Sequence, residues 1–195
     1  MSADFGFNFR GTSGYVTDGL NETYVLGLAD TYPTLRGGVT FGWVTLGAGG
    51  VADRNNALDR RLAGVNFGSG APTSDFRVDL PASGAYVIHL GLGDAGGGSG
   101  GNHFTVVVKD DTTPVLTLTS ILLVSNQTFD ATGTSYPFAT WAANEVGVTK
   151  TFASTICHLT IHEDASSFWE VQHLRLVQVG TASLPFVMQL GAQRI

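Results

Sequence analysis

Cysteine occurs once, as Cys157, so no disulfide can form within the chain. Lysine occurs only at Lys109 and Lys150, and charged residues make up 13%, about half the usual share. With a net charge of −6 and no basic stripe, the chain lacks the electrostatic footprint of a nucleic-acid binder. The longest strongly apolar run, around Ile121–Val124, falls far short of the roughly 20 residues of a membrane-crossing helix. The opening Met-Ser-Ala-Asp has no basic segment leading into an apolar one, so no Sec signal peptide is expected. No stretch sustains a 3.6-residue period. The nearest, Asn56–Ala63 (NALDRRLA), has Leu58 and Leu62 four apart and suits one or two helical turns.

What is present argues for strands. Hydrophobic residues make up 43% and glycine occurs 26 times; low charge with this much apolar material excludes disorder. Apolar and polar residues alternate at Phe76–Leu80 and Tyr86–Leu92, with the turn Pro81-Ala82-Ser83-Gly84 between them. Period-two alternation bounded by Pro and Gly marks half-buried antiparallel strands. Further strands are predicted at Phe5–Phe9, Val39–Leu46, Phe104–Val108, Val115–Val124, Pro137–Ala142, Val148–Phe152, Cys157–His162, Trp169–Val177 and Phe186–Leu190. Short strands with turns between them imply an all-β antiparallel sandwich of jelly-roll type. Asp94–Asn102 (DAGGGSGGN) reads as a hairpin loop inside it.

Several motifs invite chemistry and fail it. Gly96, Gly98 and Gly101 fit G-x-G-x-x-G, but a strand pattern follows where a dinucleotide site needs a helix. Gly97–Gly101 fits G-x-S-x-G around Ser99, a pattern that any glycine-serine run meets. His158 and His162 share one face of a strand, about 13 Å apart by strand rise, too far to share a metal; they are expected at the solvent or at an edge. Carboxylates gather in loops at Asp53, Asp59, Asp94 and Asp110-Asp111. Such residues ordinarily bond their own backbone, and they are the only place for a structural calcium, which needs six to eight oxygens. No cofactor is expected. Asp53–Arg61 (DRNNALDRR) holds three of the ten basic residues. Arg54, Arg60 and Arg61, with Asp53 and Asp59, form the candidate polyol-gripping segment, since planar guanidinium forks bind hydroxyls and carboxylates. Trp43 is the candidate stacking platform beside them, while most tryptophans of a sandwich belong to its core.

The order of these segments resembles the galactose-binding-like, carbohydrate-binding-module sandwich that precedes the catalytic domain in rhamnogalacturonan acetylesterase-type enzymes. The resemblance runs from Asp4 to Val179 and rests on Phe5-Gly6-Phe7-Asn8-Phe9 with Gly11, on Gly42-Trp43, and on Asp53-Arg54 before Leu58-Asp59. It continues through Phe76–Asp94, Thr149–Phe152, Cys157–Ile161 and His173–Leu176. It implies a non-catalytic sandwich over residues 1–179; neither the esterase motif G-D-S-L nor a nucleophile–base set occurs. Residues 180–195 fall outside the resemblance as an extended arm, with Leu184, Phe186, Met188 and Leu190 alternating on one face, suited to adding to another chain's sheet edge. A start methionine without export signal or catalytic domain fits a part of a particle assembled inside a cell. The expectation drawn is a homo-oligomeric, phage-virion-type decoration or tail accessory protein with a carbohydrate-binding fold. The alternative is a stand-alone, extracellular carbohydrate-binding module or lectin.

Overall fold

A computed structural model describes residues 3–11, 22–53, 60–62, 64–69, 73–93, 103–164 and 168–180. In chain order the strands are β1 (Asp4–Phe9), β2 (Glu22–Val25), β3 (Thr34–Arg36), β4 (Val39–Thr45), β5 (Ala48–Asp53), β6 (Gly64–Ser69), β7 (Ser74–Asp79) and β8 (Gly84–Gly93). Then follow β9 (His103–Asp110), β10 (Thr113–Leu122), β11 (Gln127–Phe129), β12 (Ser135–Pro137), β13 (Val148–Phe152), β14 (Ile156–Asp164) and β15 (Phe168–Gln178). One helix, α1 (Phe138–Asn144), interrupts them.

The strands form two sheets. A six-stranded sheet runs in the order β10-β9-β14-β7-β4-β3. A nine-stranded sheet follows the path β12-β11-β8-β15-β1-β2, with β13 on β8 and the β5-β6 pair on β15. Pairing is antiparallel except between β1 and β2, which run parallel. β1 and β15 lie side by side, Asp4 opposite Val177. There the Gln178 amide donates to the Ala3 carbonyl (2.7 Å), and the Ala3 amide to the Gln178 side chain (3.3 Å).

The core between the sheets comes directly from the alternation. β7 reads buried, half-buried, buried along its whole length, so Phe76 and Val78 face inward while Asp75, Arg77 and Asp79 face out. Phe7, Phe9, Phe41, Trp43 and Phe76 meet edge-on or tilted, with centroids 5.1–5.9 Å apart. These are favourable quadrupole geometries. Trp43 continues the cluster to Trp169 at 5.6 Å.

Two readings of the sequence change here. The expected strand at Pro137–Ala142 is largely α1. Pro137 has no amide to give a ladder, and Ala139, Ala142 and Ala143 are strong helix formers. Only Trp141 of α1 is buried, and it packs with Leu62 as a small second core on the outside of the nine-stranded sheet, against His173 of β15. Gly91 of β8 is its floor, since a Cβ there would lie 3.1 Å from His173, 3.3 Å from Leu62 and 3.5 Å from the Trp141 ring. Of the helical turns expected at Asn56–Ala63, the described part is one short 3-10 turn, Arg60–Leu62. The expected strand Phe186–Leu190 lies outside the described residues.

Candidate functional site

Of the expected polyol-gripping segment, the two described side chains, Asp53 and Arg61, are each committed to partners within the fold. Asp53 closes β5 and accepts from the Gly11 amide (3.0 Å) and from Arg10 Nε (3.4 Å). Its carboxylate is committed to holding the chain after β1. Arg61 lies over the Trp141 ring, 4.8 Å from the centroid, and 3.6 Å from Glu145, which also meets His89 Nδ1 at 2.9 Å. It clamps the second core. Arg60 opens the short turn before Leu62, and Arg54 and Asp59 lie outside the described residues, as do Leu184, Phe186, Met188 and Leu190. Trp43 is no stacking platform. It belongs to the opposite sheet and is 2% exposed, because its position on β4 points between the sheets. Trp141 and Trp169 are buried as well, so none of the three indoles reaches the surface.

Two described loop carboxylates, Asp130 and Asp110, act as turn staples, while Asp94 lies outside the described residues. Asp130, fully buried, accepts from the Thr132 and Thr134 amides and the Thr132 hydroxyl on one oxygen, and from the Val146 amide on the other. Asp110 gathers the Ala153 and Ser154 amides and the Ser154 hydroxyl. Burial raises the Asp110 pKa, but these donors outweigh it and the net shift is downward. Among the described residues no three His, Cys, Asp or Glu side chains gather to hold a metal ion.

A different surface does assemble functional groups: the outer face of the six-stranded sheet. β4, β7, β14 and β9 are consecutive neighbours there. Register places Gly42 opposite Arg77, Arg77 opposite His158, and His158 opposite Lys109. Since Phe76, Val78, Cys157, Leu159, Val106 and Val108 fill the core, the alternate residues Arg77, His158 and Lys109 stand outward in one row. At about 4.8 Å per strand, the row from β4 to β9 spans about 14 Å.

The aromatic end of the row is built by a glycine. Gly42 has φ +144°, and a Cβ on it would lie 2.5 Å from the Tyr32 amide nitrogen and 2.6 Å from the Thr31 carbonyl carbon. Only a bare backbone lets the segment after Asp30 cross the sheet face here. Tyr32 and Trp43 exchange backbone contact across this strap, and the Trp43 amide donates to Asp30. Asp30 in turn receives both Arg36 nitrogens (2.8 and 2.9 Å) and the Leu26 amide (2.6 Å). The strap sets the Tyr32 ring 4.4 Å from the Arg77 guanidinium carbon.

Polar atoms along the row are held in fixed geometry. Arg77 Nε donates to Asp79 (2.9 Å), and the Tyr32 hydroxyl donates to the other Asp79 oxygen (3.0 Å). Burial first, then the bond to Asp79, pushes the Tyr32 phenol up, so it stays a donor. His158 Nδ1 meets both Asp75 oxygens at 3.0 and 2.9 Å. β14 is an interior strand rather than an edge, so of the expected alternatives both histidines take the solvent-side one, His158 at 16% exposure and His162 at 62%. Beside the strap, Thr31, Trp43, Val44 and Leu46 line a cavity of about 220 Å³. Composition could not single out this row: each residue is an unremarkable outward position, and only register and strand order bring them together.

No protein-family model and no curated protein matches the chain in sequence. Solved structures do match in shape. The ANX1 ectodomain from Arabidopsis thaliana superposes with a TM-score of 0.53 at 11% identity over 90% of this chain. The chain spans 41% of that ectodomain's length. Looser superpositions include TmCBM61 in complex with beta-1,4-galactotriose (TM-score 0.39, 10% identity, 72% of this chain and 88% of that one). Another is a family 35 carbohydrate-binding module from Clostridium thermocellum (TM-score 0.34, 15% identity, 68% and 99%). At 11% identity the first likeness fixes the fold and nothing finer, and the looser ones add no weight to it. The chain is an all-β sandwich of two sheets.

Proposed function

We propose that this chain is a non-catalytic, glycan-binding sandwich. The observation that carries the reading is the row Tyr32–Arg77–His158–Lys109, with Tyr32 on the strap over β4 and the other three on the adjacent strands β7, β14 and β9. Sugars are bound by flat aromatic faces and by polar groups whose positions are fixed before binding. Tyr32 supplies the first, and the paired Arg77–Asp79 and His158–Asp75 supply donors and acceptors locked in place. Groups seated on sheet strands hold their geometry better than groups on loops. The resemblance of the sequence to galactose-binding-like modules points the same way. Between the two expectations drawn from the sequence, this face supports the binding module; nothing among the described residues speaks for a virion component.

A glycan array probed with the full chain tests the reading. Arg77→Ala and Tyr32→Ala should each weaken retention about tenfold or more, the loss expected when a charged hydrogen bond or an aromatic anchor is removed. Both positions are outward, so the thermal transition should stay. Hits that both variants retain in full would move the site elsewhere; no hit at all would sink the binding role.

A further inference from the structure

We propose that the glycan bound on this face is acidic, and that Lys109 is the anchor for its carboxylate. The inference rests on the glycan-binding reading and specifies its ligand.

The charges on the face are almost entirely committed to each other. Arg77 is paired with Asp79, and His158 with Asp75. Elsewhere four further arginines have carboxylate partners: Arg10 with Asp53, Arg36 with Asp30, Arg61 with Glu145 and Arg175 with Asp4. Lys109 stands directly opposite His158 at the end of the row, half-buried, and its ammonium makes no hydrogen bond or ion pair among the described residues.

That placement calls for an anion. Its cross-strand neighbour His158 and, one strand further, Arg77 bring it no carboxylate, because each already holds its own. The carboxylates of the face cannot serve, since Asp75 and Asp79 are spent on His158, Arg77 and Tyr32. The nearby Asp110 carboxylate is spent on the 153–154 turn. The chain is also acidic overall, at −6, and would repel a polyanion unless the contact surface carried a local cation. A sugar ring against Tyr32 and Arg77 leaves the far end of the chain, two strands away, beside the ammonium. A uronic-acid carboxylate there completes the one unfilled valence of the row.

The test uses polygalacturonate and the neutral galactan made from it by carboxyl reduction, with affinity electrophoresis or calorimetry on the full chain. Wild type should prefer the acidic polymer. Lys109→Gln should lower affinity for it about five- to tenfold, as for a partly buried charge contact, and leave the neutral polymer unchanged. Lys109→Arg should keep the preference. Equal binding of the two polymers by wild type, or an undiminished preference in Lys109→Gln, overturns the acidic-ligand inference. In that event the glycan-binding reading stands if Arg77→Ala still loses retention. Absence of binding to both polymers and to a glycan array overturns both together.

Discussion

Gly42 carries more of the candidate site than any residue that would touch a ligand. Its side has no room for a methyl group, because Thr31 and Tyr32 backbone atoms lie within 2.8 Å of where the Cβ would be, and its φ of +144° is strained for any L residue. Gly42→Ala should therefore lift the strap, separate Tyr32 from Arg77 and abolish glycan retention, while the inward neighbours Phe41 and Trp43 keep the sheet together. Loss of stability should be about 1–3 kcal/mol, the range for a strained backbone position. Urea titration beside the binding assay checks this; full retention in the variant would mean the strap does not build the site. Little of that was legible beforehand. Gly42-Trp43 stood out in the sequence, but for the tryptophan. Trp43 is an inward position on β4, while the glycine beside it faces the working surface, and a strand's two faces cannot be ranked from one strand alone.

Among the elements, α1 lies outside the main core between the sheets. Trp141 is its one buried residue, resting on the imidazole of His173 at 6.0 Å and covered by Arg61, with Phe138 packed beside it. His173 is fully buried, with Nδ1 3.2 Å from Asn8 Oδ1. Burial first, then the positive fields of Arg61, His89 and Arg175, hold its pKa well below the ordinary 6.5. Glu145, against Arg61 and His89, is the acidic group at this place. The sign follows from linkage. Below pH 6.5 the unfolded chain takes up a proton that the folded chain refuses, so stability is full above that value and falls as pH drops toward the depressed folded pKa. One such proton costs about 1.4 kcal/mol per pH unit. Denaturant midpoints between pH 7.5 and 5 should fall accordingly, and His173→Gln should flatten the slope in that window. An unchanged slope in the variant would assign the effect to another group. The helix itself was misread because Pro137–Ala142 is a short apolar, aromatic-bearing run, which reads as a strand, and seven residues are too few for a 3.6 period to declare itself. The strands with strong alternation, β7 and β8, were read to within two residues of their ends. β5 and β6 were missed, since Ala48-Gly49-Gly50 and Gly64, Gly68 put no apolar side chain where a pattern needs one. The parallel run of β2 beside β1 has no signature in either segment.

For the molecule as a whole, the last described strand of the two sheets ends at Gln178. Residues 181–195 lie outside the described residues, and we propose that their apolar alternation serves contact with another chain. Truncation after Gly180 should keep the thermal transition and the far-ultraviolet spectrum of a β protein. Light scattering should find the full chain associated and the truncated one monomeric. A truncated chain that fails to fold would make the segment part of the core, and one that associates as before would acquit it.

The hydrogen-bonded meeting of Ala3 and Gln178 gives the sandwich the anatomy of a plug with both leads on one side. Chain enters and leaves through neighbouring strands, about 5 Å apart. A host protein could therefore carry residues 3–180 spliced into a surface hairpin, with its own two strands parted by no more than they already are. Several copies threaded along one scaffold would then present their outer faces at spacings chosen by the engineer, turning a weak single contact into a graded, many-point grip on a polymer.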